Sequence, residues 1–430
     1  MIQTRGTPTP KATPQNLRKK AGAATGDQKP LLAMNRYFLL LGLLAAFALG
    51  KHAKCNMHED YPPTANKIPS GENKTVEWFT LNLDAAPEDR WTELVKPRKD
   101  GIANLIGTVT ALLKKIVGDE KFQHLMSILD LFIDKEFEAW PHDYGREVDG
   151  ISKATGISKT ELFILQMAYE VWGLCTSMVV QDSNGEIWHG RNLDFGLFPA
   201  FDFKNMEFKL TEALRPLVVS VDVQRGGKTL YYSTTFAGFA GVITGMRKGA
   251  FSISVDTRFD NKFDIGLIKW ILGDRSKAEL TFTIRSVLED PAMTSYSKAY
   301  SYLKNVTMIG PSYIIIGGMD KGEGAIISKD QKTINVLDLN DQLKNGTFYV
   351  LETNYDNWKK APFFDDRRNP AKACLDQMGS NGVNGFSGVF NTLNGKPNLN
   401  KLTTYTTLMS VKTGKYEAYR QYCEGICSFW

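Results

Sequence analysis

The hydrophobic pattern of this chain changes period at Cys175, and that change limits the folds open to it. Upstream, apolar residues return every three or four positions. Ile102, Leu105, Ile106, Val109, Leu112, Leu113 and Ile116 share one helix face, and residues 122–140 repeat the spacing through Leu125, Ile128, Leu129, Leu131 and Phe132. Ser158-Lys159-Thr160-Glu161 has the form of a capping box and opens a third helix, so residues 93–172 read as helical. Downstream the pattern is that of strands. Residues 176–181 and 186–190 flank Asn184-Gly185, the dipeptide of tight hairpins. Residues 217–224 and 228–235 flank Arg225-Gly226-Gly227, and residues 239–246 and 250–255 flank Arg247-Lys248-Gly249. Helical patterns return at 264–290 and 293–304, with strands at 313–316, 325–328 and 348–352. Consecutive hairpins followed by helices predict an α+β fold of antiparallel sheets covered by helices, not alternating strand–helix units.

Residues 37–50 are an unbroken apolar run, shorter than the ~20 residues of a comfortable membrane span. Met34-Asn35-Arg36 precedes it and small residues (Ala45, Ala46, Ala48, Gly50) close it, the form of a secretory signal peptide. The first 33 residues have a disordered composition. Two arrangements fit: translation starts at Met34, or residues 1–33 are a cytosolic tail on a signal anchor. In both, residues 1–50 are a leader that sends the rest into the secretory pathway, where disulfides form. Asn73, Asn305 and Asn345 head glycosylation sequons that agree with this route. The formal charge of +5 belongs to the leader: residues 1–36 hold seven cations and one anion, which leaves the body near −1. No basic face for nucleic acid is indicated.

Familiar catalytic signatures are absent. There is no Gly-x-Ser-x-Gly, no His-Glu-x-x-His and no Walker loop. The five histidines match no ligand motif, so no metal or cofactor is expected, and Gly238–Gly245 reads as bulges in a strand rather than a phosphate cradle. One cluster stands out. Arg191 and Asp194 follow Cys175 by 16 and 19 residues, and a hairpin of that length returns its far end beside its start. A thiol placed beside a cation is activated. The residues alone leave two readings open: an activated Cys175, or a buried inert cysteine next to a turn ion pair. The chain has five cysteines, an odd count that suggests paired cysteines plus one thiol.

The motifs Cys175-Thr176-Ser177, His189-Gly190-Arg191-Asn192-Leu193-Asp194-Phe195-Gly196, Phe236-Ala237-Gly238, Thr353-Asn354-Tyr355-Asp356-x-Trp358 and Asp365-Asp366-Arg367-Arg368-x-Pro370-Ala371-Lys372 decide between them. In this order they resemble the acid ceramidases, within the cysteine N-terminal-nucleophile hydrolases that include the choloylglycine hydrolases. The likeness runs from about residue 55 to the C-terminus.

The resemblance implies an αββα sandwich of antiparallel sheets. It also implies a precursor that breaks its own Leu174–Cys175 bond into a mostly helical α-chain (51–174) and a catalytic β-chain (175–430). Cys175 would then be nucleophile and, through its freed α-amine, base. Asp194 would hold that amine, Arg191 would stabilise the thiolate, Asn354 would donate to the oxyanion and Arg367 would complete the site. Plainer readings make Asn354 a turn residue and Arg367 a partner of Asp365 or Asp366. The pairing Cys55–Cys374 would join the two chains, with Cys423–Cys427 in the tail; a metal at Cys423 and Cys427 would lack two further ligands. The substrate would be ceramide, cleaved in the lysosome, with anionic lipids and a saposin-type activator as partners. The segments within 93–140 read as core helices, and a lipid substrate would also need an apolar channel that they could line. The alternatives are an N-acylethanolamine acid amidase and, more remotely, a non-catalytic lipid-binding glycoprotein. One departure stands out: relatives carry Asn-Glu-Arg-Phe where this chain has Asp256-Thr257-Arg258-Phe259, so head-group choice or cleavage could differ here.

Overall fold

The computed structural model describes residues 61–63, 74–167, 173–196, 200–259, 276–425, 427 and 428. The expected leader (1–50), Cys55, Asn73, and residues 168–172 and 264–275 of the expected helices lie outside them. Strand β1 (Trp78–Asn82) is followed by helices α1 (Lys99–Val117), α2 (Asp119–Glu138), α3 (Tyr144–Thr155) and α4 (Lys159–Met167). The helical half is therefore as expected from its periodicity. Ser158 and Glu161 form the reciprocal capping box: Glu161 N donates to Ser158 Oγ at 3.2 Å, and Ser158 N to Glu161 Oε2 at 3.2 Å. Helix α1 buries Ile102, Leu105, Ile106, Val109 and Leu112 as read, whereas Ile116 is exposed. Helix α2 departs further. It packs along one stripe, Phe122, Leu129, Ile133 and Phe137, and leaves Leu125, Leu131 and Phe132 exposed, with no cover from the described residues on its other side.

Then come β2 (Gly173–Gln181), β3 (Ile187–Phe195), β4 (Val218–Arg225), β5 (Lys228–Phe236), β6 (Thr244–Arg247) and β7 (Phe251–Thr257), helices α5 (Leu280–Glu289) and α6 (Tyr296–Asn305), and strands β8 (Ser312–Gly317), β9 (Gly324–Lys329), β10 (Ile334–Asp338) and β11 (Tyr349–Glu352). Helices α7 (Arg368–Gly382) and α8 (Phe386–Asn394) and strands β12 (Thr403–Ser410) and β13 (Lys415–Arg420) follow, with short helices at Thr92–Val95, Lys209–Leu214 and Leu339–Lys344 and a small ribbon of Phe201–Asp202 with Glu207–Phe208 between the main elements. Residues 239–243 do not join β6, and Gly238–Gly245 is mostly a loop rather than a bulged strand. Gly238 has φ +93°, Val242 N donates to Thr281 O at 3.1 Å, and a Cβ on Gly241 would stand 2.3 Å from Thr281 Oγ1. Close packing on the start of α5 draws this segment out of the ladder.

The strands form an eight-stranded sheet, β1-β4-β5-β6-β7-β8-β9-β10, and a five-stranded sheet, β11-β2-β3-β12-β13. All pairings within them are antiparallel except β1 with β4, which is parallel. That pair was not legible as a hairpin because its strands lie far apart in the chain.

Alternation along the strands sets the layers. On β2, Met178 and Val180 pack with Leu375, Val389 and Phe390 of α7 and α8. Val179 instead packs with Tyr313, Ile315 and Ile326 of the other sheet. On β7, Ile253 and Val255 join the core formed with α5 and α6. The order is helix, sheet, sheet, helix, with the inner faces of the sheets in contact. Among the described residues no helix is long and apolar enough to cross a membrane.

Candidate active site

The hairpin β2–β3 sets Cys175 opposite Leu193 and Ser177 opposite Arg191. Arg191 to Asp194 lie within β3 itself rather than beyond the hairpin. Cys175, Ser177 and Arg191 all face the eight-stranded sheet and are buried. Arg191 Nη2 donates to Cys175 Sγ at 2.6 Å, an arrangement that favours the charged sulfur. The other arm of the guanidinium is anchored across the sandwich: Nη1 donates to Ile243 O at 3.0 Å and Thr244 Oγ1 at 2.8 Å.

Asp194 is brought to Cys175 from the opposite face of the sheet. It pairs with Leu174 in register, away from the sulfur, and is linked to Cys175 through Arg367, whose Nη1 also donates to Cys175 O. Its Oδ2 accepts from Arg367 Nη1 at 3.2 Å and Asn400 Nδ2 at 2.8 Å. Burial raises the pKa of this carboxyl, against the pull of Arg367.

Asn354 and Arg367 arrive from the far ends of the segment after β11. Arg367 Nη1 donates to Cys175 O at 2.6 Å, Nη2 to Asn354 Oδ1 at 2.7 Å, and Nε and Nη2 to the two oxygens of Asp365 at 2.6 and 2.9 Å. The plainer reading, a partner of Asp365, is thus also true of Arg367. Asn354 Oδ1 accepts from Cys175 N at 2.8 Å, while Nδ2 donates to Thr257 O at 2.7 Å and Gly173 O at 3.4 Å. Two donors converging on one side fix the amide orientation. In the continuous chain Asn354 therefore holds the backbone on both sides of the Leu174–Cys175 bond, and its Nδ2 is engaged by carbonyls rather than facing open space.

Three site residues were not read from the sequence. Asp256 on β7 accepts from Ser177 Oγ at 2.7 Å, and its Oδ1 is 3.7 Å from Arg191 Nη2. Burial pushes its pKa up to about 7, despite Arg191, Ser177 and Arg367. Ser177 and Asn400 complete the set. The departure at 256–259 marked the right segment but gave no reason to pick Asp256. Asn400 had no signal at all.

His189 shares the inner face but bonds Ser252 and Ser254 at 2.9 Å each, and burial, then Arg191, push its pKa down to about 3. It is a neutral structural link between the sheets. Cys175 stands as a thiol, Cys423 bonds Cys427, and Cys374 is disulfide-bonded; its expected partner Cys55 is outside the described residues. Asn305 and Asn345 are exposed. Among the described residues no group of His, Cys, Asp and Glu is arranged to hold a metal.

An apolar cavity adjoins this cluster. Leu105 and Val109 of α1 and Leu165 of α4 line it with Phe195, Phe236 and Ile243. Phe195 follows Asp194, and Ile243 supplies the carbonyl that Arg191 grips. The segment carrying Asn354 and Arg367 also exposes Trp358, Phe363 and Phe364.

Comparison with known proteins gives two family matches. The beta subunit of N-acylethanolamine-hydrolyzing acid amidase matches residues 74–136. The linear amide C–N hydrolases of the choloylglycine hydrolase family match residues 175–385, beginning at Cys175 itself. Acid ceramidase of Mus musculus is 36% identical over 397 residues, covering 90% of this chain and 99% of that one. Acid ceramidase of Bos taurus is 38% identical over 373 residues, covering 86% and 91%. Among solved structures, a Caenorhabditis elegans N-acylethanolamine-hydrolyzing acid amidase ortholog aligns at 34% identity with TM-score 0.46, covering 55% of this chain and 93% of that one.

Proposed function

The chain belongs to the acid ceramidase family of linear amide hydrolases, and from that premise we propose that it hydrolyses ceramide to sphingosine and a free fatty acid after cutting its own Leu174–Cys175 bond. The observation that carries the reading is the convergence of Arg191, Asn354 and Arg367 on the sulfur and backbone of one residue, Cys175, with Asp194 paired to Arg367 beside it.

Cutting turns the Cys175 amide into an α-amine, whose ordinary pKa of roughly 7.7–8.0 lets it take the thiol proton. Asp194, whose Oδ2 is fixed by Arg367 and Asn400, accepts a hydrogen bond from that amine. The sulfur attacks the ceramide amide carbon, the amine returns the proton to the leaving sphingosine nitrogen, and water resolves the thioester. The substrate acyl group takes the place of residues 173–174. Their departure releases Asn354 Nδ2 to the amide oxygen, a contribution of ~2.7–4 kcal/mol for a donor of this kind. The exposed Trp358, Phe363 and Phe364 suit a substrate arriving from a lipid surface.

With this reading go a lysosomal location reached through the secretory pathway, glycans on Asn73, Asn305 and Asn345, a Cys55–Cys374 link between the two chains, and anionic lipids and a saposin-type activator as partners. The match at 74–136 bears an N-acylethanolamine amidase name and favours a second substrate class. Purified, acid-incubated enzyme should run as one band without reductant and two with it, the larger beginning at Cys175. It should turn over ceramide; cleavage of N-acylethanolamines alone overturns the substrate.

A further inference from the structure

In the uncut chain the nucleophile has no base of its own. The nitrogen of Cys175 is still an amide, and it donates to Asn354 Oδ1 at 2.8 Å. The α-amine that serves in turnover does not exist until the bond is broken, so the first cut needs another proton acceptor. Four buried carboxyls surround the residue. Asp194 lies on the opposite face of the sheet from the sulfur. Asp365 has both oxygens held by Arg367. Glu352 accepts from the backbone N of Thr353 and lies at the end of β11. Asp256 alone faces the sulfur from the other sheet. A single nitrogen, Arg191 Nη2, touches Cys175 Sγ at 2.6 Å and stands 3.7 Å from Asp256 Oδ1, and the carboxyl is within hydrogen-bonding reach of the thiol. Ser177 Oγ holds Oδ1 at 2.7 Å, while Oδ2 makes no hydrogen bond among the described residues.

We propose that Asp256 is the catalytic residue that carries the proton for the chain's own cleavage, a role distinct from that of the α-amine in turnover. The proposal rests on the self-cleavage reading above. Asp256 takes the thiol proton as Sγ attacks the carbonyl carbon of Leu174. It then delivers that proton to the nitrogen of Cys175 as the Leu174 C–N bond breaks. The products are a thioester between Leu174 and Sγ and a free α-amine on Cys175. Water then hydrolyses the thioester, leaving a carboxylate on Leu174 and the thiol on Cys175. Asp256 ends as it began. Burial holds its pKa near 7, so it can both accept and return a proton at modest acidity, as a shuttle must.

The test uses the full chain collected uncut, with cleavage followed on reducing gels and by N-terminal sequencing. Asp256→Asn should slow cleavage by about 10²-fold or more, the usual weight of a positioned acid–base group. Asp256→Ala should be equally slow and should be accelerated by added formate, a rescue that no packing role would show. Melting curves identify any variant that fails to fold. If Asp256→Asn does not fold, Asp256→Ala with formate decides. Wild type that cuts while folded Asp256→Asn cuts at a similar rate overturns this proposal and leaves self-cleavage standing, as does folded Asp256→Ala that formate leaves unchanged. Wild type that never cuts at Leu174–Cys175 overturns the self-cleavage reading itself, and this proposal with it.

Discussion

Arg191 and Arg285 are both fully buried, yet their surroundings differ in kind. Arg285 on α5 forms a bidentate pair with Glu147 of α3 at 2.7 and 2.8 Å, donates to Glu289 at 2.7 Å and Ala240 O at 2.9 Å, and stacks 4.2 Å over Tyr144. Glu147 is capped further by Arg90 at 2.7 Å and Trp91 Nε1 at 2.6 Å. Burial alone would raise Glu147, but Arg285, Trp91 and Arg90 together hold it below the usual carboxylate range. Every charge has its counter-charge. Around Arg191 the balance is looser. Asp194 Oδ1 and Asp256 Oδ2 make no hydrogen bond among the described residues, and burial holds both carboxyls above their ordinary range. One cluster is saturated and spans the two sides of the Leu174–Cys175 bond, so it suits holding two chains together after a cut. The other is left with capacity for proton transfer. Buried charge serves structure where it is neutralised and chemistry where it is not.

Removing one residue from each cluster should give opposite phenotypes. Cys175→Ala should abolish self-cleavage and turnover, with turnover falling by about 10⁶-fold, the scale seen when a hydrolase loses its nucleophile. Its thermal transition should fall only modestly below that of uncut wild type, because one sulfur atom is removed while Arg191 keeps Ile243 O, Thr244 and Asp256 as partners. Full activity in this variant would refute the nucleophile. Glu147→Gln should do the reverse. It leaves Arg285 buried without its bidentate partner, at a cost of about 3–5 kcal/mol in urea unfolding, while turnover per folded molecule changes little. A variant that unfolds at the wild-type urea midpoint but fails to turn over would collapse the distinction between the clusters.

The difference between the clusters also marks how much was legible in the sequence. The link from Cys175 to Arg191 was readable because a hairpin is local: Asn184-Gly185 fixes the turn, and strand pairing does the rest. Helix faces α1 and α4 were readable from periodicity and a capping box. Asp256 was not, because it is 79 residues from Ser177 in the chain and meets it only when two sheets stack. The saturated cluster was invisible for the same reason; Glu147 and Arg285 are ordinary charged residues on amphipathic helices until α3 and α5 pack. Leu131 and Phe132 failed in the other direction, since apolar spacing names a face but not whether a neighbour covers it. The strand pair β1–β4 carried no hairpin signal, whereas β12–β13 did carry one, a four-residue link ending in Gly414 at φ +74°, and it went unread.

The smallest effect is the one that tests the electrostatic contrast directly, and it concerns the direction of pH dependence. A carboxyl whose pKa is raised in the fold binds more protons folded than unfolded between its two pKa values, so stability falls as pH rises across that window. For Asp256 the window runs from the ordinary 3.8 to about 7. Glu147 has the opposite sign: its stabilisation is present above its ordinary 4.5 and is lost as pH falls through its depressed folded value. In a Cys175→Ala background, which keeps both proteins uncut, adding Asp256→Asn should therefore leave stability nearly unchanged near pH ~4 and raise it progressively up to pH ~7. The pull of Arg191 and Ser177 is already contained in the raised value, so the gap should open in one direction throughout the window. Urea midpoints across this range would show the gap opening with pH. A gap that is flat, or that closes as pH rises, would mean that Asp256 is compensated as fully as Glu147, and that the two clusters do not differ in the way their geometry indicates.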